Sequence, residues 1–451
     1  MAERLTVGAT LDIYRTLAPV AARLAPLAAP FVPKVRAGQR GRRGLLDRLL
    51  AAAPRLQGCL WVHTASVGEF LQGIPIASAV RDALGEAAPP VAFTHFSPSG
   101  YEFAQRHPCA DLHDYLPLDV PADMRRLVAA WRPRLLVCVK FDVWPNLVLA
   151  ARAAGVPVLL LAGSLSPRSA RLRWPARALY RDLFDRFSHL GVCTEEDRAR
   201  FVAGLGVRAP VTVTGDTRAE QVILRYEQSR GGRVSERLRA LGGRLLVLGS
   251  TWPPDERLWL PVLGELRRQH PELRVVLCPH EPTPPRLAAL EAQLAGRGLE
   301  AVRLSALLDG ADTGGRAEAS ADPAAAGGDR PTVAPVILVD SVGVLAELYR
   351  AGHLAYIGGS FTTGVHNTLE PAIARLPVLF GPRIHNAEEA GVLVARQAGF
   401  VVKNPPAALA CALRLLGDAG SLRDAGAAAR EVVLAQRGAA ARSLAVMRPY
   451  L

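Results

Sequence analysis

Short apolar runs recur along the chain, each ending in small or polar residues and followed by a stretch with helical spacing. The first series comprises Cys59–Thr64, Pro90–His95, Arg134–Lys140 and Val156–Ala162, continued by strand-like pieces at His189–Cys193 and Val211–Thr214. A second series begins at Arg244–Gly249 and runs through Leu273–Cys278, Pro335–Gly343, Leu354–Ile357 and Pro377–Pro382. Short strands without polar alternation are buried on both faces, and the segments between them are the crossover helices of a parallel sheet. The pattern predicts an α/β chain with two doubly wound, Rossmann-like domains. A polar connector with paired glycines, 226–237, separates the series and reads as a hinge. Two such domains place their strand ends facing each other across a cleft, which suits a two-substrate transfer.

The expected domains are 46–228 and 238–451, and 451 residues are enough for two cores. Within the second, 309–330 has no large apolar residue and reads as a disordered surface loop. Residues 1–45 stand apart. The apolar stretch 11–33 is broken by Asp12, Arg15, Arg23 and three prolines, so it supplies neither the ~20 apolar residues of a spanning helix nor a signal-peptide cleavage site. Lys34, Arg36, Arg40, Arg42 and Arg43 follow directly. An apolar helix followed by a basic cluster describes an anchor on an anionic membrane surface, or else a helix packed on its own domain beside a solvated loop.

The net charge of +13 favours anionic partners. With 6% aromatics, no RNA-binding signature and no zinc-finger spacing, nucleic acid is not among them. The six cysteines contain no C-x-x-C pair, which reads as reduced thiols and neither disulfides nor a metal site.

Function in such sheets gathers at the carboxyl ends of the strands. In the first half those ends carry Ser66, Gly68 and Glu69, then Lys140 and Asp142. Glu69 falls in the first turn of a helix, where the dipole keeps a carboxylate ionised and able to act as a general base; a plain helix-terminal charge is the alternative. In the second half, Leu354–Ile357 empties into Gly358, Gly359 and Ser360, and a helix is expected to begin at His366, Asn367 and Glu370. That succession suits a phosphate at the glycine turn, with ribose hydroxyls on Asn367 and Glu370. A tight turn with Asn367 as N-cap is the alternative reading.

The segments W-V-H-T-A-S-V-G-E-F, Y-L-P-L-D-V-P, W-P-N-L, S-L-S-P-R-S, G-D-T-R, G-G-S-F…H-N-T-L-E-P and F-G-P…N-A-E-E-A occur in that order between Trp61 and Ala390. Together they resemble the 3-deoxy-D-manno-octulosonic acid (Kdo) transferases, glycosyltransferase family 30. The resemblance implies a GT-B fold and an inverting transfer of Kdo from CMP-Kdo to the lipid A precursor, lipid IVA, in lipopolysaccharide synthesis. It implies no metal and no cofactor, with the chain held peripherally or monotopically by its N-terminus on the cytoplasmic face of a bacterial inner membrane. Residue by residue, it makes Glu69 the general base and assigns transition-state stabilisation to Lys140 or Asp142 and to Arg218. It assigns CMP binding to Pro279 and His280, to Val342, Gly343 and Val344, and to Asn367, Thr368, Leu369 and Glu370. The chain departs from the commoner pattern: K-F-D-V replaces E-T-E-L, S-T-W replaces S-T-H, and P-R-H becomes C-P-H-E. These spellings resemble a divergent branch of the same family typical of Bacteroidetes. Other readings are a GT-B transferase or epimerase using another nucleotide sugar, and an inactive membrane-surface protein of that fold.

Overall fold

The computed structural model describes residues 8–312, 335–362 and 364–451. The chain divides into two compact units, Met1–Gln221 with Gln436–Leu451, and Val222–Ala435.

The first unit is built on β1 (Leu60–Thr64), β2 (Val91–His95), β3 (Leu112–Tyr115), β4 (Leu135–Val139), β5 (Val158–Gly163), β6 (His189–Val192) and β7 (Val211–Val213). They form one sheet in the order β3-β2-β1-β4-β5-β6-β7, with parallel pairings throughout. Successive side chains of a strand face opposite ways, so the uninterrupted apolar runs build two cores. Trp61, Leu136 and Cys138 belong to one, and Leu60, Val62, Val137 and Val139 to the other. In the first core Trp61 packs on Trp131 with ring centroids 4.7 Å apart.

The second unit carries β8 (Leu245–Thr251), β9 (Arg274–Pro279), β10 (Ala301–Arg303), β11 (Val336–Leu338), β12 (Leu354–Ile357), β13 (Val378–Phe380) and β14 (Gly399–Val401). Their order is β10-β11-β9-β8-β12-β13-β14, again with parallel pairings. In each sheet the direction of winding reverses once, between β1 and β4 and between β8 and β12. The strand ends at such a reversal diverge and leave a crevice for ligands.

Several sequence expectations change. Three strands escaped the reading, and all lie at sheet edges: β3, β10 and β14. Most of the connector 226–237 is helical: helices cover Arg218–Gln228 and Arg233–Ala240. The Glu347 carboxylate caps the second by accepting from the amides of Val234 and Ser235, 2.9 and 3.2 Å away. Of the loop expected at 309–330, residues 309–312 are helical; residues 313–330 lie outside the described part. The last helix, Ala439–Met447, belongs to the first unit, not the second. Glu220 accepts from the amide of Ala440, Arg442 donates to the Thr214 carbonyl, and Met447 is fully buried in a first-unit core.

The N-terminal helix, Ala9–Leu24, is fixed along one side by buried Leu11 and by a hydrogen bond from the Tyr14 hydroxyl to Asp119. Ile13, Leu17, Val20, Leu24, Leu27 and Phe31, spaced by three or four residues along it and the turn beyond, are 50–84% exposed. Among the described residues no helix is long and apolar enough to cross a membrane.

Candidate active site

The carboxyl end of β1 turns at Ala65 and Ser66 into the helix Val67–Leu84. Glu69, in its first turn, reaches back so that Oε2 accepts from the amides of Ala65 (2.9 Å) and Ser66 (2.8 Å) and from the Ser66 hydroxyl (3.0 Å). This is the reciprocal half of a capping box. The side chain is 6% exposed, and its three bonds converge on one oxygen. Glu69 thus caps the helix through Oε2, the alternative the sequence offered, and Oε1 lies outside those bonds.

One turn later, Gln72 donates to Asp216 at 2.9 Å, and the Thr217 hydroxyl donates to the Gln72 carbonyl. Asp216 in turn holds Arg218, through its amide at 2.9 Å and its Nε at 2.7 Å. Burial alone would raise Asp216, but the Arg218 charge and the Gln72 hydrogen bond outweigh it and hold the carboxyl below its usual range. Arg218 is thus tied to the helix that carries Glu69.

Beyond β4, Lys140 sits in the left-handed region at φ 69°, with its ammonium 5.2 Å from the centre of the Phe141 ring. Asp142 turns to the sheet instead. Its Oδ2 lies 3.2 Å from Nε2 of His63, a fully buried β1 residue, and accepts from the Trp144 indole at 3.2 Å. Burial opposes ionisation, but the His63 and Trp144 contacts prevail and keep Asp142 below its ordinary pKa. Of the two positions proposed beyond β4, Asp142 is the one wired into the β1–β4 reversal.

In the second unit, β8 ends at Thr251 and Trp252 begins the helix Pro253–Gln269. The Trp252 indole donates to Nε2 of His366 at 2.8 Å. His280, directly after Pro279 at the end of β9, stacks on His366 with centroids 4.5 Å apart and planes 6° from parallel, and on Trp252 at 4.7 Å. Three flat rings thus gather beside the β8–β12 reversal.

In the glycine turn after β12 the two glycine amides are spent inside the protein and are not offered to a phosphate. The Gly358 amide donates to the Gly249 carbonyl, and the Gly359 amide donates to Asp255 at 3.0 Å. The Gly381 amide donates to the Ser360 hydroxyl, which is fully buried. Asp255 also accepts from the Trp252 amide (2.8 Å) and the Tyr356 hydroxyl (2.5 Å), so the anion held here is the protein's own. Glycine at 358 answers a different need: a Cβ there would lie 2.2 Å from the Ser250 carbonyl oxygen. The turn lets β12 close on the end of β8.

The next helix starts at Leu369 with Thr368, not Asn367, as N-cap, and spans only Leu369–Ile373. Asn367 still serves it, its Oδ1 accepting from the Leu369 amide at 3.1 Å. Glu370 pairs with Arg225 at 3.2 Å; burial raises its pKa and Arg225 opposes the rise. Val342, Gly343 and Val344 form the turn ahead of the helix Leu345–Ala351. Val342 is exposed, and Gly343, at φ 88°, faces open space.

The family model described as 3-deoxy-D-manno-octulosonic-acid transferase matches residues 38–221. The 3-deoxy-D-manno-octulosonic acid transferase of Bordetella pertussis is 32% identical over 424 residues, which covers 91% of this chain and 90% of that protein. The chain belongs to the 3-deoxy-D-manno-octulosonic acid (Kdo) transferase family. It is a glycosyltransferase. Its relative in Chlamydophila psittaci is 30% identical over 73% of this chain and 70% of that protein. Among solved structures, the UDP-GlcNAc 2-epimerase of Neisseria meningitidis bound to UDP-GlcNAc superposes with a TM-score of 0.60 at 12% identity, over 86% of this chain and 98% of that one. That likeness concerns the fold, a two-domain Rossmann-like GT-B arrangement.

Within this Kdo transferase, several residues that shape the candidate site escaped the sequence reading. His63 and Trp61 look like strand residues, yet both engage Thr94, at 3.0 and 2.8 Å, and His63 also reaches Asp142. Gln72, Asp216 and Asp255 act through partners more than 100 positions away. Trp252 drew notice only as a departure from S-T-H; its indole contact with His366 gives that departure a physical content.

Proposed function

We propose that this chain transfers Kdo from CMP-Kdo to the lipid A precursor with inversion at the anomeric carbon, Glu69 being the general base. The observation that carries the reading is the Glu69 carboxylate, buried at the β1–β4 reversal and fixed through one oxygen. An acceptor hydroxyl gives its proton to Oε1 as its oxygen bonds to the anomeric carbon. The bond from that carbon to the phosphate oxygen breaks, and CMP leaves with the electron pair. Because Oε2 is already committed to three donors, the carboxylate need not reorganise as the proton arrives, which is the advantage of a preset site. We assign Asp142, oriented by His63, and Arg218, oriented by Asp216, to the charges that develop in the transition state.

For the donor we assign the Trp252–His280–His366 group, the turn Val342–Val344 and the segment Asn367–Glu370. We assign the phosphate to the turn at Gly343, because the amides of Gly358 and Gly359 have internal partners. The exposed apolar stripe Ile13–Phe31 and the basic residues after it support residence on an anionic membrane surface, on its cytoplasmic face, where a lipid acceptor lies. No metal or cofactor enters these steps.

The decisive experiment is an assay with purified protein, CMP-Kdo and lipid A precursor. Formation of a Kdo-bearing lipid is expected; its absence, with CMP-Kdo unable to raise the unfolding temperature, overturns the reading. The GT-B likeness to UDP-GlcNAc epimerases supplies the runner-up, in which a UDP-sugar and not CMP-Kdo gives that protection.

A further inference from the structure

The first unit contains a cavity of about 870 Å³ lined by none of the candidate site residues. It lies among the helix Ala9–Leu24, the helix Pro33–Gly41, the turn after β2 and the segment after β3. Its wall is mostly apolar, with Ala22, Val35, Leu46, Phe96 and Leu118 among the lining residues. Arg23, Lys34 and Arg43 also line it and are exposed, whereas Asp123 is the single acid there. Arg42 belongs to the wall itself, since its guanidinium donates to the carbonyls of Phe96 and Leu116 at 2.8 and 2.9 Å. One wall group has an unmet need: Gln39 Nε2 is buried and has no hydrogen-bond partner. A buried amide donor without an acceptor is costly, and an apolar space with one unmet donor is shaped for a chain carrying a carbonyl. The volume falls in the range of ligand sites, ~300–1,000 Å³.

The cavity also has a defined relation to the candidate base. Ser97 lines it, and the Ser97 amide donates to the Ala65 carbonyl at 2.8 Å. Ala65 is the residue whose own amide donates to Glu69. The cavity wall is therefore one hydrogen bond from the turn that fixes Glu69.

We infer that this cavity receives one acyl chain of the acceptor, with the chain's ester or amide carbonyl accepting from Gln39 and an anionic group of the acceptor meeting Arg23, Lys34 and Arg43. The inference rests on the lipid acceptor proposed above. Seating a chain here sets the sugar hydroxyl beside Glu69 and makes acylation part of acceptor recognition. A chain of the surrounding bilayer is the competing occupant, but it has no need of the link through Ser97 to the Glu69 turn.

The test compares acylated lipid A precursor with its chemically deacylated sugar phosphate, using CMP-Kdo and the wild-type enzyme, Ala22→Trp, Ala25→Phe and Gln39→Leu. Each methylene of a substrate excluded from a pocket lowers kcat/KM by roughly ten-fold or more, so the two filling variants should lose at least about ten-fold on the acylated acceptor through KM. On the deacylated acceptor they should stay within about two-fold of wild type. Gln39→Leu should lose a smaller factor, again on the acylated acceptor alone. Flotation with anionic phospholipid vesicles should be unchanged in all three. Equal losses on both acceptors, no loss on either, or a loss of vesicle binding that tracks the loss of turnover each overturn the cavity assignment. Two filling variants, with unfolding temperatures recorded, guard against one that merely misfolds. If wild type transfers Kdo to neither acceptor, it is the proposed function that fails.

Discussion

The indole N–H of Trp252 donates to Nε2 of His366 across 2.8 Å. Indole nitrogen is a donor only, so Nε2 must be an acceptor and the imidazole proton must sit on Nδ1. Burial, then the neighbouring His280, push His366 down to about 4. The His366 ring is thus a neutral hydrogen-bond donor at physiological pH, not a cation.

Nitrogen-15 NMR should show His366 neutral, in the Nδ1–H form, at pH 6. Trp252→Phe keeps a flat ring and removes the donor, so its His366 should protonate at higher pH and CMP-Kdo affinity should fall about ten-fold, the loss of one hydrogen bond in a partly buried site. The sign for stability follows from the depressed pKa. The unfolded chain binds the proton first, so the contribution is complete above pH ~6.5 and lost as pH falls towards 4. His95, pushed down to about 3 by burial, adds to the same acid side. Unfolding temperature should therefore drop between pH 6.5 and 4; a flat profile there contradicts the buried neutral state of both rings.

Substitution can separate the cap that Glu69 makes from the base role proposed for it. Glu69→Gln retains an oxygen for the Ala65 and Ser66 amides but cannot take a proton, so it should unfold near the wild-type temperature and lose about 10² or more in kcat. Glu69→Ala should lose the same turnover and, in addition, about 1 kcal/mol of stability through the missing cap. Chemical denaturation of the two variants side by side checks the split, and a Glu69→Gln enzyme with near-normal turnover removes Glu69 from catalysis.

The Asp142–His63 pair offers a check on which β4-end residue matters. Lys140→Ala leaves that pair untouched and should alter kcat less than about three-fold, while Asp142→Ala strands the fully buried His63 and should cost ~10²-fold in kcat together with about 1–3 kcal/mol. Asp142→Asn, which still accepts from His63, should recover the stability but not the rate. Steady-state kinetics beside urea melts distinguishes these outcomes.

Legibility of the chain followed its physics. The central strands, such as Leu60–Thr64 and Leu135–Val139, are apolar from end to end because helices cover both faces, so their sequence announces them. Ala301–Arg303 and Gly399–Val401 sit at sheet edges with exposed positions, and they lack that signature. The same division holds for the site. The place of Glu69 in the first turn of its helix was legible because strand, small turn and helix start are contiguous. Asp255, which takes the Gly359 amide, stands more than 100 residues from it, and no local pattern tells a glycine turn that holds a phosphate from one that holds the protein's own carboxylate. The helix inside the connector, Arg233–Ala240, carried no local start signal because its N-terminal cap comes from distant Glu347.

The two glycines in the second unit's turns should respond very differently to alanine. At Gly358 a Cβ would lie 2.2 Å from the Ser250 carbonyl oxygen and 2.8 Å from Thr251 Cα, both backbone atoms that cannot swing aside. Gly358→Ala should force β12 away from β8, costing at least about 2 kcal/mol and weakening donor binding along with it. At Gly343 nothing stands within 4 Å and only φ 88° opposes a side chain, so Gly343→Ala should cost roughly 1–2 kcal/mol of strain. If the phosphate rests on that turn, Gly343→Ala weakens CMP-Kdo binding by more than its stability loss explains. Isothermal titration beside thermal melts reads both.

The N-terminal stripe makes a prediction in which stability and localisation part company. Leu17, Leu24 and Phe31 are more than half exposed and pack little against the fold, so Leu17→Asp with Leu24→Asp should leave the unfolding temperature within about a degree, in line with the small effect of exposed substitutions. Burying such side chains at a bilayer surface contributes about 1.5–3 kcal/mol each, so the double variant should bind vesicles at least ten-fold more weakly. The basic residues after the stripe add an electrostatic part that salt should screen: binding to vesicles with anionic lipid should weaken as ionic strength rises, and binding to neutral vesicles should not. Turnover on lipid A precursor in vesicles should fall with vesicle binding, while turnover on a deacylated acceptor in solution should not. Equal vesicle binding by wild type and the double variant would show that the stripe meets something other than a membrane.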